Sequence, residues 1–544
     1  MITNVTLYTL GLITCCTGFV SSKNICPLWY SKNKDGHCVC CDSFKGIVMC
    51  KKDYIQVQDG HCMTWNNETH RVEVSLCLLT HLLNYSLCGK YGFYKIPNNI
   101  SGPELNNVLC GSYNRQGLHC RQCIDGYGPA VFSDSVSCAD CSKHKQLWIL
   151  NLSLQLITVT LMYLAVILLQ IKGTSSPLNV IITYSQLFIN GLKYGSGLHR
   201  RLLCFVGKDW TKFIIAVFGI WNLDFFRSFI PPLCVSQSLK AINILLFDYI
   251  IAFYPFFLTT FVYVCIELYD RKCKVVVFLS IPLKKLMKFI GASWNPKHSI
   301  LSTFATFFIL VYSKLLYVSI NFLFVINTYN CSGDTSSAVL LYDPTIRYFH
   351  SEHIPYVVLA LSVIVIFVLL PPLLLLLYPT RLFRKSLSWC GFQRWDILHP
   401  IMDIFQGWYK NGTESTLDYR SLSSLYMLIR LGFVCMILLL HVRDIEDDDL
   451  MEWIGPGMFH IFLGIFFLTV KPYKKQWMNH ADGLCLTIFG CLVMAQNYYY
   501  KIIYILITVI YVIFSPIVLL ASFKIYVCVK VLSKKWKVNE ITQY

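Results

Sequence analysis

Thirteen cysteines fall between Cys26 and Cys141, and their spacing is the first chemistry the chain offers. Cys26, Cys38, Cys40, Cys41, Cys50, Cys62, Cys77, Cys88 and Cys110 lead to a closing run, Cys120-x2-Cys123-x14-Cys138-x2-Cys141. In a reducing compartment, four thiolates so spaced can close a tetrahedron around zinc. Behind a secretory signal the same thiols oxidise, and disulfides worth ~2–4 kcal/mol each staple a domain with too little core. Met1 to Ser22 has the character of such a signal: an apolar stretch from Val5 to Val20, with Val20 and Ser22 at the cleavage positions. It carries no Lys or Arg, so an uncleaved signal anchor is the alternative. Both readings put the next segment outside the cytosol. Thirteen is odd; Cys204, Cys234 and Cys331, in loops assigned below to the outside, bring the set to sixteen. The parity predicts that at least one of these three bonds to another loop or to the cysteine-rich segment, docking it on the rest of the chain. Pairing is not readable from spacing alone.

A second constellation lies in apolar surroundings. Asp248, Lys314 and Arg430 each sit inside a long hydrophobic run, away from its ends. A charge at bilayer centre costs at least ~2.5–3.5 kcal/mol, so such residues face the protein interior and find partners. The expected arrangement is an Asp248–Lys314 pair, with Arg430 facing a polar cavity or a third partner. Such a pair can be structural glue between helices, or part of a permeation path or voltage-sensitive element. Other candidates have plainer readings. His350 and His353, flanking Glu352, could bind a metal, but read as ordinary surface residues. Asp270-Arg271 is a charged pair expected at a helix end. Asn67-Glu-Thr, Asn84-Tyr-Ser, Asn99-Ile-Ser and Asn330-Cys-Ser are glycosylation candidates. There is no phosphate-binding Gly-rich loop, no dinucleotide fingerprint, no His-Glu-x-x-His and no Gly-x-Ser-x-Gly. The sequence therefore points to no enzyme, no cofactor and no bound metal.

These residues are positioned by apolar helices. A span needs ~20 apolar residues. The strong candidates are 147–171, 241–268, 300–326, 354–378, 423–441 and 502–523; the weaker ones are 178–192, 454–470 and 481–496. Pro255, Pro371, Pro372 and Pro516 lie inside spans and should kink them. Trp148, Tyr378 and Tyr498 to Tyr500 fall where interface anchors belong. Nine spans with the N-terminus outside put 22 Lys and Arg in the inner loops and tail. Only Arg347, Arg443 and Lys501 fall in the outer loops after the fourth, sixth and eighth spans, as the positive-inside rule requires. The basic loop 199–240 conflicts with that rule. Its apolar run Phe213 to Trp221 reads as an amphipathic or re-entrant helix that does not cross.

Composition agrees with this picture. Of 544 residues, 55% are hydrophobic and 14% charged, against ~25% charged in soluble chains. That excludes a soluble enzyme, a disordered scaffold and a free nucleic-acid binder. The net charge of +17 sets membrane orientation instead of attracting nucleic acid. The expected organisation is a signal peptide (1–22), a cysteine-rich ectodomain (23–145), a multipass region (146–523) and a basic cytoplasmic tail (524–544).

Several short motifs carry a resemblance. They are Cys120-Arg-Gln-Cys123 through Gly126-Tyr-Gly-Pro129 to Cys138; Ser176-Pro-Leu-Asn179 with Gln186; and Gly219-Ile-Trp-Asn-Leu-Asp-Phe-Phe226. Phe304-Ala-Thr-Phe307, Tyr342-Asp-Pro-Thr-Ile-Arg-Tyr348, Met402-Asp-Ile-Phe-Gln-Gly407 and Lys471-Pro-Tyr-Lys474 follow. In that order, from about Cys110 to Lys474, the chain resembles a largely uncharacterised family of multipass animal membrane proteins. Those have an ephrin-receptor- or EGF-like cysteine module, often behind a right-handed β-helix that this chain has no room for. The first half is more distantly similar to proteins with TRP-like membrane regions. The resemblance implies no catalytic residue. The resulting expectation is an all-α transmembrane bundle of about nine helices with a small disulfide-rich extracellular domain. It would be a receptor-like protein of the plasma membrane, N-terminus outside and C-terminus inside. Its partners would be the lipid bilayer and an extracellular ligand or protein. A TRP-like ion channel or transporter is the alternative.

Overall fold

The computed structural model describes, with gaps of a few residues, 122–169, 208–224, 233–281, 296–380, 398–442 and 450–495, scattered positions between 178 and 189, and strands between 30 and 116. Helix dominates. The helices are α1 (Leu147–Leu169), α2 (Lys208–Gly219), α3 (Ala241–Asp270), α4 (Pro296–Leu323), α5 (Ile354–Leu377), α6 (Leu398–Gln406), α7 (Leu425–Val442), α8 (Leu450–Val470) and α9 (Gln476–Ala495). Among the described residues four helices, α1, α3, α4 and α5, are long and apolar enough to cross a bilayer, where the sequence led us to expect nine. Within α8, Gly457–Val470 forms a shorter apolar helix. The hydropathy of α9 is diluted at its start by Asn479, His480 and Asp482. The run 178–192 is described only in part, and 502–523 lies outside the described residues.

The four long helices are not equivalent. In α4, 89% of the most apolar window is buried, against 28% in each of the other three. α4 is therefore the axis, and α1, α3 and α5 pack around it with Leu161, Phe257, Phe261 and Val358 left on their outer faces. The inner faces interlock through aromatic rings: Tyr163 on Phe307 at 5.3 Å, Phe253 on Phe367 at 5.1 Å and Phe256 on Phe304 at 5.5 Å. One of the prolines inside the spans has visible compensation. Pro372 cannot donate to the Val368 carbonyl, the chain winds as a π-helix over Ile364–Leu369, and the Tyr312 hydroxyl donates to Val368 O at 3.0 Å. At Pro255 α3 continues as one helix, and Thr259 Oγ1 makes the ordinary back-bond of a helical threonine to Pro255 O at 2.8 Å.

α8 and α9 form a tightly packed antiparallel hairpin, and glycine explains the close approach. A methyl group on Gly464 would lie 2.6 Å from the Gly483 carbonyl oxygen, and one on Gly483 would lie 2.9 Å from that of Gly464. Gly457 and Gly490 repeat the reciprocal contact one heptad away, at 2.9 and 2.6 Å. Small residues at such crossings let backbones approach, which is how membrane helices gain van der Waals contact.

Strands gather at one end of the bundle. Among them are β1 (His61–Asn66), β2 (Arg71–Leu76), β3 (Tyr127–Val131), β4 (Cys138–Asp140), β5 (Leu233–Cys234), β6 (Val325–Asn330) and β7 (Thr335–Leu340). β3 is the centre of one sheet, pairing with β4 and with β5, so that Ala130 faces Cys234 and Val131 faces Leu233. A second sheet runs β7-β6-β2-β1, in which Tyr329 pairs with Val74 and Asn330 with Glu73. The cysteine module is therefore joined twice to loops between the helices. The start of α1, the start of α3, the end of α4 and the start of α5 all lie at this end.

Candidate functional site: a charge centre buried in the bundle

α2 continues through a 3-10 turn, Ile220–Asn222, and stops abruptly. Asp224 N–H donates to Gly219 O at 2.9 Å and Leu223 N–H to Ile220 O at 3.2 Å, with Leu223 left-handed at φ 57°. This is the Schellman way of ending a helix, usually built on glycine. Here the residue is a leucine, fully buried, so core packing holds a backbone conformation that costs of order 1–2 kcal/mol. The stop aims Asp224 at Lys314 of α4: Asp224 Oδ1 lies 2.7 Å from Lys314 Nζ, and Asp248 Oδ1 of α3 lies 3.5 Å from it. Asn222 Nδ2 donates to Asp224 Oδ2 at 3.0 Å. All four residues are buried, Lys314 at 2% exposure, Asp248 at 4% and Asp224 at 8%.

The depth follows from helical rise. Asp248 is seven residues inside the module-side end of α3 and Lys314 nine inside that of α4, ~10 and ~14 Å at ~1.5 Å per residue. The tip of the α2 segment thus reaches far into the bundle, and the chain is back at the module by Leu233. Irregular backbone at such depth is tolerated only where protein satisfies it. Gln186 does so: its Nε2 donates to Trp221 O at 2.8 Å and to Leu310 O at 2.6 Å, while its Oε1 accepts from Ser313 Oγ at 2.8 Å.

One turn farther along α4, Arg430 of α7 is fully buried. Nη1 donates to Ile309 O at 3.0 Å, and Nη2 donates to Asn179 Oδ1 at 3.2 Å and to Thr183 Oγ1. Its guanidinium carbon lies 6.0 Å from the Tyr312 ring centre. No Asp or Glu occurs between residues 141 and 208, in α4 or in α7, so the elements enclosing Arg430 solvate it with dipoles. Two cations and two carboxylates therefore stand along α4, and the centre is electroneutral when all are ionised. That balance is what makes four charges tolerable in low dielectric.

At the module end, Lys240 Nζ is 2.6 Å from Glu352 Oε2, and Asp343 Oδ2 accepts from the Ile242 N–H, capping α3, whose own N-cap Lys240 makes no cap bond. His353 is not the surface residue we expected. It is fully buried, its Nδ1 accepts the Phe349 N–H at 3.2 Å, and its Nε2 lies 2.7 Å from Phe322 O. Both ring nitrogens are used in packing, and no cluster of three metal-ligating residues occurs among the described residues. At the opposite end, Asp482 Oδ2 accepts from Tyr426 and Tyr473, both at 2.5 Å, and Tyr473 in turn contacts the Tyr409 hydroxyl at 3.1 Å. Burial pushes the Tyr409 and Tyr473 hydroxyls up, keeping them protonated.

Of the cysteines, Cys123–Cys138 and Cys141–Cys234 are bonded, the second of them tying the module to the strand before α3. Gly128 is required there: a methyl group would lie 2.7 Å from Cys234 Sγ and 2.9 Å from Cys141 Sγ. The side chains of the other twelve candidate cysteines, and of Asn67, Asn84, Asn99 and Asn330, lie outside what the structure describes. Asp224 is the functional residue that sequence reasoning missed. It sits in the Asn-Leu-Asp stretch of a motif, but in a run too short to span, so it did not count as an intramembrane charge. No family model, no curated protein and no solved structure matches the chain.

Proposed function

We propose that the chain is a receptor-like multipass protein of the plasma membrane, in which the extracellular cysteine module acts on the buried charge centre. One observation carries this reading: Cys234, bonded to Cys141 of the module, follows Asp224 by only ten residues. A ligand or protein that shifts the module pulls on a short tether whose far end holds Lys314. Fully extended, the ten residues from Asp224 to Cys234 reach at most ~35 Å, so displacement reaches Asp224 without a long relay. In this reading the module is where an extracellular partner binds, the bilayer is the second partner, and the protein performs no catalysis. The N-terminus and the module lie outside. Hydrogen exchange on the full chain tests the coupling. Cys141→Ser with Cys234→Ser should speed exchange in residues 213–224 and around Lys314, and leave α8 and α9 unchanged. Unchanged exchange at 213–224 would overturn it.

A second reading has its own support. A broken helix carrying charge to membrane depth is an arrangement used in ion and solute pathways. A TRP-like channel or transporter would show flux in cells expressing the full chain, altered by Asp248→Asn. With flux present and coupling absent, this reading replaces the first.

A further inference from the structure

We propose that Lys471, Lys474 and Lys475, together with Trp408, form a docking site for the headgroup of an anionic phospholipid at the end of the bundle opposite the module. The inference is independent of the receptor reading. Lys471 leaves α8 with φ 52°, and the next residues pair with the segment after α6. Lys474 N–H donates to Trp408 O at 3.1 Å, Lys410 N–H donates to Pro472 O at 3.0 Å, and Tyr409 bridges Tyr473. Tyr409, Pro472 and Tyr473 are buried, whereas Lys471, Lys474 and Lys475 are exposed.

The outward face is preformed. Lys474 Nζ donates to Gly407 O at 2.9 Å, and Lys475 Nζ stands 5.8 Å from the Trp408 ring centre. Among the described residues none of the three ammonium groups has a carboxylate within ion-pair distance. The neighbouring Asp418 is taken by Arg420, at 2.7 Å from Nη2. Asp482 is sealed beneath Tyr473. Three cations within five residues, held by a backbone clasp, present a surface complementary to a phosphate monoester or diester. The level of the site chooses between a soluble phosphate and a lipid. α6 lies against the last turn of α5 through Gln406 Nε2, which donates to Leu375 O at 2.9 Å, so the clasp sits where an apolar helix ends. Trp477 beside it is 48% exposed, an indole of the kind that seats among headgroups. A free phosphate gains nothing from that ring, whereas a phospholipid uses both.

The test uses the full chain in nanodiscs of phosphatidylcholine alone and of phosphatidylcholine with one-tenth phosphatidylinositol bisphosphate. Native mass spectrometry counts retained lipid, and thermal unfolding reads the consequence. The wild type should retain the anionic lipid and unfold at higher temperature with it. Neutralising all three lysines, Lys471→Gln, Lys474→Gln and Lys475→Gln, should weaken retention by roughly a hundredfold, at about fivefold per lysine. Lys475→Arg should retain it. Equal stability in both nanodiscs, or equal retention by the triple variant, overturns the proposal. Inorganic phosphate giving the same stabilisation in phosphatidylcholine alone also overturns it, in favour of a soluble anion. Should the triple variant not fold, Lys471→Gln with Lys475→Gln, whose ammonium groups hold no part of the clasp, gives the same decision.

Discussion

Lys314 has two carboxylate partners at different distances, and that asymmetry makes single substitutions informative. Lys314→Met strands two buried carboxylates and should cost about 3–5 kcal/mol in the thermal unfolding of the detergent-solubilised chain. Asp224→Asn, at the 2.7 Å contact, should cost more than Asp248→Asn, at 3.5 Å. The reverse order would mean that the α2 segment does not hold the centre. The surface pair Lys240–Glu352 behaves differently. Its hydrogen bond pulls the Glu352 carboxyl below its usual range and lifts Lys240 above its own. The lowered acid contributes stability above its ordinary pKa of ~4.3, lost as pH falls through the folded value. The raised base contributes below ~10.4, lost as pH rises through its folded value. Between about pH 5 and 10 the pair's contribution is therefore complete and constant, and Glu352→Gln should flatten both the acid and the basic limb of a stability–pH profile. Legibility at this scale followed polarity in context. Asp248 and Lys314 are readable because a charge in a long apolar run must find a partner. Asp224 is not, because only the fold reveals that its loop dives into the bundle.

At the scale of elements, backbone approach and proline decide what each helix can do. Gly464→Leu should open the α8–α9 hairpin and cost about 1–3 kcal/mol, since the side chain would meet the Gly483 backbone with nowhere to relax. Gly432 is the control: a methyl group there meets nothing within 4 Å, and Gly432→Ala in α7 should stabilise by ~0.5–1 kcal/mol. Comparative unfolding of the two variants separates packing from propensity. At the π-helical turn, Tyr312→Phe removes the donor to Val368 O and should cost about 1–3 kcal/mol. Pro372→Ala returns a backbone N–H to that carbonyl, so the double variant should recover most of the loss; no recovery would show that Tyr312 acts elsewhere. The lost donors at Pro255 and Pro372 were readable, because a missing N–H is written in the sequence. The repair of the Pro372 site by Tyr312 was not, since that residue is 60 positions away in another helix. The glycine hairpin escaped notice for a related reason. Gly457 and Gly464 look unremarkable until Gly483 and Gly490 are laid antiparallel against them.

At the scale of the whole molecule, two readings of the sequence met different fates for one physical reason. Cysteine parity predicted that a loop cysteine bonds to another loop or to the module, and Cys141–Cys234 is a bond of the second kind. The odd thirteen depends only on counting, whereas the count of spans depends on how apolar each run is, and α9 with its buried Asp482 falls short. The strand pairings nevertheless fix which helix ends lie together. β5 before α3, β6 after α4 and the module share one end, and the Tyr409–Tyr473 clasp lies at the other. If the long helices cross a bilayer, Asn411-Gly-Thr, on an exposed turn with Gly412 at φ 78°, is on the opposite side from the module. Glycosylation occurs on only one side, so the two ends cannot both carry sugar. In cells, deglycosylation should shift the wild type through the module's sequons Asn67, Asn84 and Asn99. Asn411→Gln should leave the size of that shift unchanged. A smaller shift in Asn411→Gln would put the clasp and the module on the same side. The axis defined by α4, the depth of the Asp224–Lys314 contact and the lipid site at Lys471 to Lys475 would then all have to be redrawn.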